Sequence, residues 1–93
     1  MNKLLIAVPS KNRVDTLTRY TWAWAKTLKF DVRVFVEPQD EAKYKLAFPD
    51  AVIVNIGANN MGLGYAKKQI HECARNGGYD VIFKLDDDTA GFV

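Results

Sequence analysis

The sequence predicts an α/β domain with a mostly parallel sheet and helices on both of its faces. Three observations carry that expectation. Four short apolar runs recur at positions 4–8, 32–36, 51–56 and 80–85. The stretches between them repeat apolar residues at helical spacing. Pro, Gly, Asn and Asp stand at the junctions. Near-continuous apolar runs belong to strands covered on both faces, and a helix between each pair of strands implies parallel pairing.

The elements follow in order. Leu4 to Val8 is the first strand, closed by Pro9, and Pro9-Ser10-Lys11-Asn12-Arg13 is a loop of turn-forming residues. Val14, Leu17, Thr21, Trp24, Ala25 and Leu28 predict one helix over 14–28, with Trp24 on its buried face and Trp22 on another. Asp15 suits the positive end of its dipole, and Lys26 and Lys29 the negative end. Val32 to Val36 is the second strand, stopped by Pro38. Gln39 to Phe48 is a short helix with Ala42, Leu46 and Ala47 on one side. Ala51 to Ile56 is the third strand. Leu63, Ala66, Ile70, Cys73 and Ala74 predict a helix over 62–75, with Asn76-Gly77-Gly78 as its C-terminal cap. Asp80 to Leu85 is the fourth strand. The pattern is βαβαβαβ, a Rossmann-like arrangement with right-handed crossovers.

Bulk properties narrow the function. With 93 residues the chain makes one small domain (1–93), burying roughly 60–65% of its unfolded surface. A composition 48% hydrophobic and 26% charged argues against disorder. A net charge of +2, with Lys and Arg dispersed, gives no electrostatic footprint for nucleic acid. Cys73 is the sole cysteine, which excludes an intrachain disulfide and fits a reducing compartment. The first apolar run is too short for a secretory core or a membrane span. A soluble, cytoplasmic protein is expected.

The chemistry concentrates in Val81-Ile82-Phe83-Lys84-Leu85-Asp86-Asp87-Asp88-Thr89. A buried strand here delivers three adjacent carboxylates to the carboxyl edge of the sheet, where open α/β sheets bind ligands. Like charges so close repel, and a divalent cation bound to a phosphate-bearing ligand offsets that repulsion. The competing view is a solvated acidic turn. His71 and Cys73 point to different faces of one helix and make a poor metal pair.

Three segments carry a resemblance. Ala7-Val8-Pro9-Ser10-Lys11-Asn12-Arg13 resembles a Pro-Ser/Thr-x-Asn-Arg signature that closes a first strand. Asn60-Met61-Gly62-Leu63-Gly64-Tyr65-Ala66-Lys67-Lys68 resembles a glycine-bearing signature that opens a third helix. Phe83-Lys84-Leu85-Asp86-Asp87-Asp88 resembles an Asp-x-Asp metal motif. In that order they resemble the nucleotide-sugar-binding half of GT-A-fold glycosyltransferases, close to family 2. Tyr44 to Ala51, Gly62 to Lys67 and Leu85 to Thr89 are similar to the TET-associated glycosyltransferases, phage-linked enzymes thought to glycosylate modified DNA bases.

The resemblance implies roles. Asp88 and Asp86 would hold Mn²⁺ or Mg²⁺, with Asp86 or Asp87 also meeting the ribose or a metal-bound water. The cation would bridge the two phosphates of a nucleotide-diphospho-sugar donor and stabilise the departing diphosphate. Pro9, Ser10, Asn12 and Arg13 would wall the nucleotide pocket, Arg13 meeting a phosphate or ribose oxygen. Glu37, ending the second strand, would reach the base. Gly62, Gly64 and Lys67 would bring backbone and a cation to the phosphates. Where the family pattern has Arg-Asn, this chain has Lys67-Lys68, and Lys lacks the bidentate guanidinium fork.

GT-A enzymes extend well past the Asp-x-Asp motif, and this sequence stops eight residues after Leu85. The expectation is therefore a truncated donor-binding domain. Its catalytic base would lie in a missing C-terminal half, and it would bind a donor with little transfer of its own. The acceptor would be a hydroxyl, extended by the narrower resemblance to a modified base in phage DNA. Two rivals stand beside this reading. One is Toprim-like phosphoryl transfer using Glu37, Asp86 and Asp88. The other is a non-catalytic half-domain acting through a partner, as a homodimer or with the missing C-terminal part, across Trp22 and the open edge of the fourth strand.

Overall fold

A computed structural model of the chain describes residues 3–87. Four strands form one sheet: β1 (Leu4–Pro9), β2 (Asp31–Val36), β3 (Val52–Asn55) and β4 (Val81–Lys84). All pairings are parallel and the order is β3-β2-β1-β4. The helices are α1 (Val14–Arg19), α2 (Thr21–Ala25), α3 (Glu41–Ala47) and α4 (Leu63–Asn76), with a 3-10 turn at Pro38–Asp40 leading into α3. This is the expected Rossmann-like α/β arrangement. No described helix is long and apolar enough to cross a membrane.

The period of two along the strands sorts side chains between the faces. Ile6, Val8, Val34 and Val36 pack with Leu17 of α1, Tyr44 and Phe48 of the α3 region, and Leu85. Leu5, Ala7 and Phe35 pack on the opposite face with Ile56 and with Ile70 and Ala74 of α4. β1 is thus apolar on both sides because it is covered on both sides, and Leu5, Ala7 and Val8 are fully buried. Burying a side chain such as Leu17 contributes about 1.5–3 kcal/mol.

The expected helix over 14–28 is broken. Tyr20 has φ −112° and ψ −89°, which separates α1 from α2. Leu17, Thr21 and Ala25 nevertheless stay buried at four-residue spacing, so the apolar period survives the break. Thr21 is drawn inward, where its hydroxyl donates to the carbonyl of Asp86. Trp22 packs against the core together with Trp24, its ring meeting Phe48 edge-on at 5.6 Å; this corrects its assignment to a separate face.

The buried face of α3 also differs from expectation. Ala42, Leu46 and Ala47 are exposed, Leu46 to 86%. Tyr44 and Phe48, one turn apart, are buried in their place. Two aromatic rings bury far more area than two alanines and a leucine, so they decide which face turns inward. The end of α4 follows expectation, with Gly78 in the left-handed region at φ +73°.

Candidate functional site

The strand order reverses at β1. α1, α2 and α3 pack on one face as the chain moves from β1 to β2 and β3, and α4 packs on the other before β4 pairs with the free side of β1. The switch point of such a sheet leaves a crevice at the carboxyl ends of the strands on either side of it, β1 and β4. Here those ends are Pro9-Ser10 after β1 and Leu85-Asp86-Asp87 after β4. Leu85 N–H donates to Ala7 O at 2.9 Å, and Ser10 N–H to Phe35 O at 3.0 Å, so the ladder carries both loops past the formal strand ends.

A connected set of polar side chains lies across that point. Ser10 Oγ donates to Asp87 Oδ2 at 2.8 Å. The single Ser10 proton being committed to a carboxylate, the Tyr44 hydroxyl 2.6 Å away donates to Ser10 Oγ. Tyr44 in turn accepts from the Arg13 backbone N–H at 3.0 Å. Arg13 Nη1 lies 3.1 Å from Asp87 Oδ1, closing the circuit. Asp87 is 5% exposed and Tyr44 fully buried, so the buried acid has the charge partner and the hydrogen bond that burial demands. Burial raises the Tyr44 hydroxyl above its ordinary pKa, which keeps it a donor.

The loop between β1 and α1 is held from a second side. Asp40, 4% exposed, accepts the Asn12 backbone N–H at 3.0 Å, and Lys43 Nζ donates to Asn12 Oδ1 at 3.2 Å. Asn12 sits at φ +48°, a left-handed conformation that Asn tolerates. It does not cap α1, whose N-cap is Arg13. An open cavity of about 440 Å³ runs along this loop, lined by Asn12, Arg13, Val14, Asp15, Thr16 and Lys43.

Glu37 is buried at the end of β2. Its Oε1 accepts from Gln39 Nε2 at 2.7 Å and lies 3.8 Å from Lys11 Nζ; its Oε2 accepts the Asn60 backbone N–H at 2.9 Å. Gly62, at φ +85° and ψ 176°, precedes α4, and Gly64 lies within its first turn. Lys67 is exposed on α4 and forms no ion pair among the described residues.

The structure therefore joins Ser10, Arg13 and Asp87 in direct contact and ties Asn12 into the same loop. It places Glu37 in a neighbouring network with the loop preceding α4. Asp86 is exposed at the strand end, with its carbonyl bound by Thr21. Asp88, the other expected metal ligand, lies outside the described residues. No group of three or more His, Cys, Asp or Glu side chains arranged to hold a metal occurs among the described residues. Among the described residues Asp86 supplies a single exposed carboxylate at this edge, the donor type that Mg²⁺ takes alongside water and phosphate oxygens.

Sequence reasoning missed Tyr44, Asp40 and Thr21. The only signal for Tyr44 was an aromatic hydroxyl at a position one turn from Phe48, and for Asp40 an acid just after Pro38-Gln39.

Such a parallel sheet, with Arg13 and Asp87 converging at its switch point, defines a Rossmann-like α/β domain. The family model described as TET-Associated Glycosyltransferase matches residues 4–93, and the chain belongs to that family of glycosyltransferases. Among curated proteins, none matches the chain.

Proposed function

We propose that this domain binds a nucleotide-diphospho-sugar, together with Mg²⁺ or Mn²⁺, in the crevice between the ends of β1 and β4. The sugar is destined for an acceptor hydroxyl, a modified base in DNA being the acceptor that family membership favours. One observation supports this most: Ser10, Arg13 and Asp87, from opposite ends of the chain, meet at the switch point. Arg13, its side chain 49% exposed, can meet a phosphate while remaining beside Asp87. Asp86, with Asp88, would hold the cation, which supplies charge stabilisation to a departing diphosphate. Ser10 and Tyr44 orient Asp87; Asp40 and Lys43 shape the loop that presents Arg13.

The Toprim-like alternative needs Glu37 beside Asp86 and Asp88. β1 lies between β2 and β4, and both Glu37 oxygens are already engaged by Gln39 and Asn60, so the geometry favours the donor-binding reading.

Titration calorimetry with a set of nucleotide-sugars, in Mn²⁺ and in chelator, tests the proposal. Binding is expected with Mn²⁺, and Asp88→Ala is expected to remove its metal-dependent part. Absence of nucleotide binding in every condition would sink it.

A further inference from the structure

We propose that Glu37 is a positioning residue whose buried carboxylate clasps the loop between β3 and α4 to the carboxyl end of β2, setting that loop beside the donor crevice. The role in donor binding rests on the reading given above; the clasp itself does not.

Residues 59–62 are exposed, so packing does not hold this part of the loop. Hydrogen bonds do. Glu37 Oε2 accepts the Asn60 N–H at 2.9 Å, and Asn60 sits at φ +57°. Asn59 Oδ1 accepts the Gln39 backbone N–H at 2.9 Å, and Gln39 Nε2 returns to Glu37 Oε1 at 2.7 Å. Lys11, from the loop after β1, donates to Asn60 Oδ1 at 2.8 Å and lies 3.8 Å from Glu37. The loops that follow three adjacent strands are thus linked through one acid. A carboxylate 7% exposed is costly unless its oxygens are satisfied, and the native loop conformation satisfies them. Glu37 consequently acts on the loop, and a nucleobase would have to displace or share its present partners to be read by it.

The experiment is hydrogen exchange by NMR on the chain, combined with calorimetry. In Glu37→Ala both accepting oxygens are removed. Exchange at the Asn60 amide is expected to rise about tenfold, the loss of one hydrogen bond to a charged group, while amides of β1 and β4 stay protected. Affinities for uridine-, guanosine- and cytidine-diphospho-sugars are expected to fall together by a common factor. Asn59→Ala, an exposed substitution that leaves the acid intact, is expected to move loop exchange and affinity in the same direction, and it decides the matter if Glu37→Ala does not fold. Unchanged Asn60 exchange overturns the clasp. A loss confined to one nucleobase overturns it too, because Glu37 then reads the base directly. A wild-type chain that binds no nucleotide-sugar defeats the donor reading alone, and the exchange measurement still judges the clasp.

Discussion

Tyr44→Phe removes one oxygen from the most enclosed part of the site and nothing else. The ring stays, and with it the contacts to Phe48 at 6.1 Å between centroids and to the sheet. What disappears is a hydroxyl bonded to Ser10 Oγ at 2.6 Å and to the Arg13 N–H at 3.0 Å. Each bond contributes about 1 kcal/mol net, and the phenyl ring offsets part of that because it has no hydroxyl to desolvate. A loss of about 1.5 kcal/mol is therefore expected, or roughly 6–12 °C in melting temperature for a domain of this size. The assay is urea unfolding of both proteins, read from the midpoint at constant slope. Donor affinity should weaken as well, since Ser10 and the Arg13 backbone lose the group that fixes them around Asp87. A stability change under about 0.5 kcal/mol, smaller than a single such bond, would refute the idea that the relay is a working part of the fold.

Other outcomes follow from the same geometry. Because burial raises Tyr44 above its ordinary 10.0, the unfolded chain loses that proton first. The stability it contributes is intact below pH 10.0 and is lost as pH rises through the folded value, so alkaline unfolding curves should fall more steeply for the wild type than for Tyr44→Phe. Gly62→Ala and Gly64→Ala should have opposite signs in thermal unfolding. The first forces a side chain into a region open essentially to Gly alone and costs about 1–3 kcal/mol; the second, with open space around it inside α4, gains up to about 1 kcal/mol. Thr21→Val, which deletes the hydroxyl bound to the Asp86 carbonyl, should cost about 1 kcal/mol in chemical unfolding and speed amide exchange in the segment after β4.

The sequence revealed best where the strands run, although the expected burial of β4 fails: Val81 and Phe83 are 43% and 46% exposed, because β4 lies at the edge of the sheet. β1 reads as Leu4-Leu5-Ile6-Ala7-Val8 because both faces are covered, and that need is local to the run itself. The break at Tyr20 was not legible. Neither Pro nor Gly marks it, and the apolar spacing of Leu17, Thr21 and Ala25 continues across it. The inward face of α3 was misjudged because Ala42, Leu46 and Ala47 satisfy helical spacing as well as Tyr44 and Phe48 do, and ring area settled the choice. At the site, residues at strand ends were visible through position: Ser10, Arg13, Glu37 and Asp87. Their partners were not. Tyr44 and Asp40 act through contacts spanning 34 and 28 positions, which no local pattern records. Glu37 shows the same limit. Its place at the end of β2 was foreseen, but its hold on Asn60 was not.

The pairing of Leu4 with Val81 and of Ala7 with Lys84 places the earliest-made strand between two later ones. On a ribosome, the N-terminal strand keeps one hydrogen-bonding side unpartnered until almost everything up to Lys84 has been translated. Nothing resembling the finished crevice exists before then, since Ser10 must wait for Asp87. The crevice is consequently completed only once β4 has been made, and chains stalled short of residue 81 should be more open to proteolysis around the unpaired side of β1.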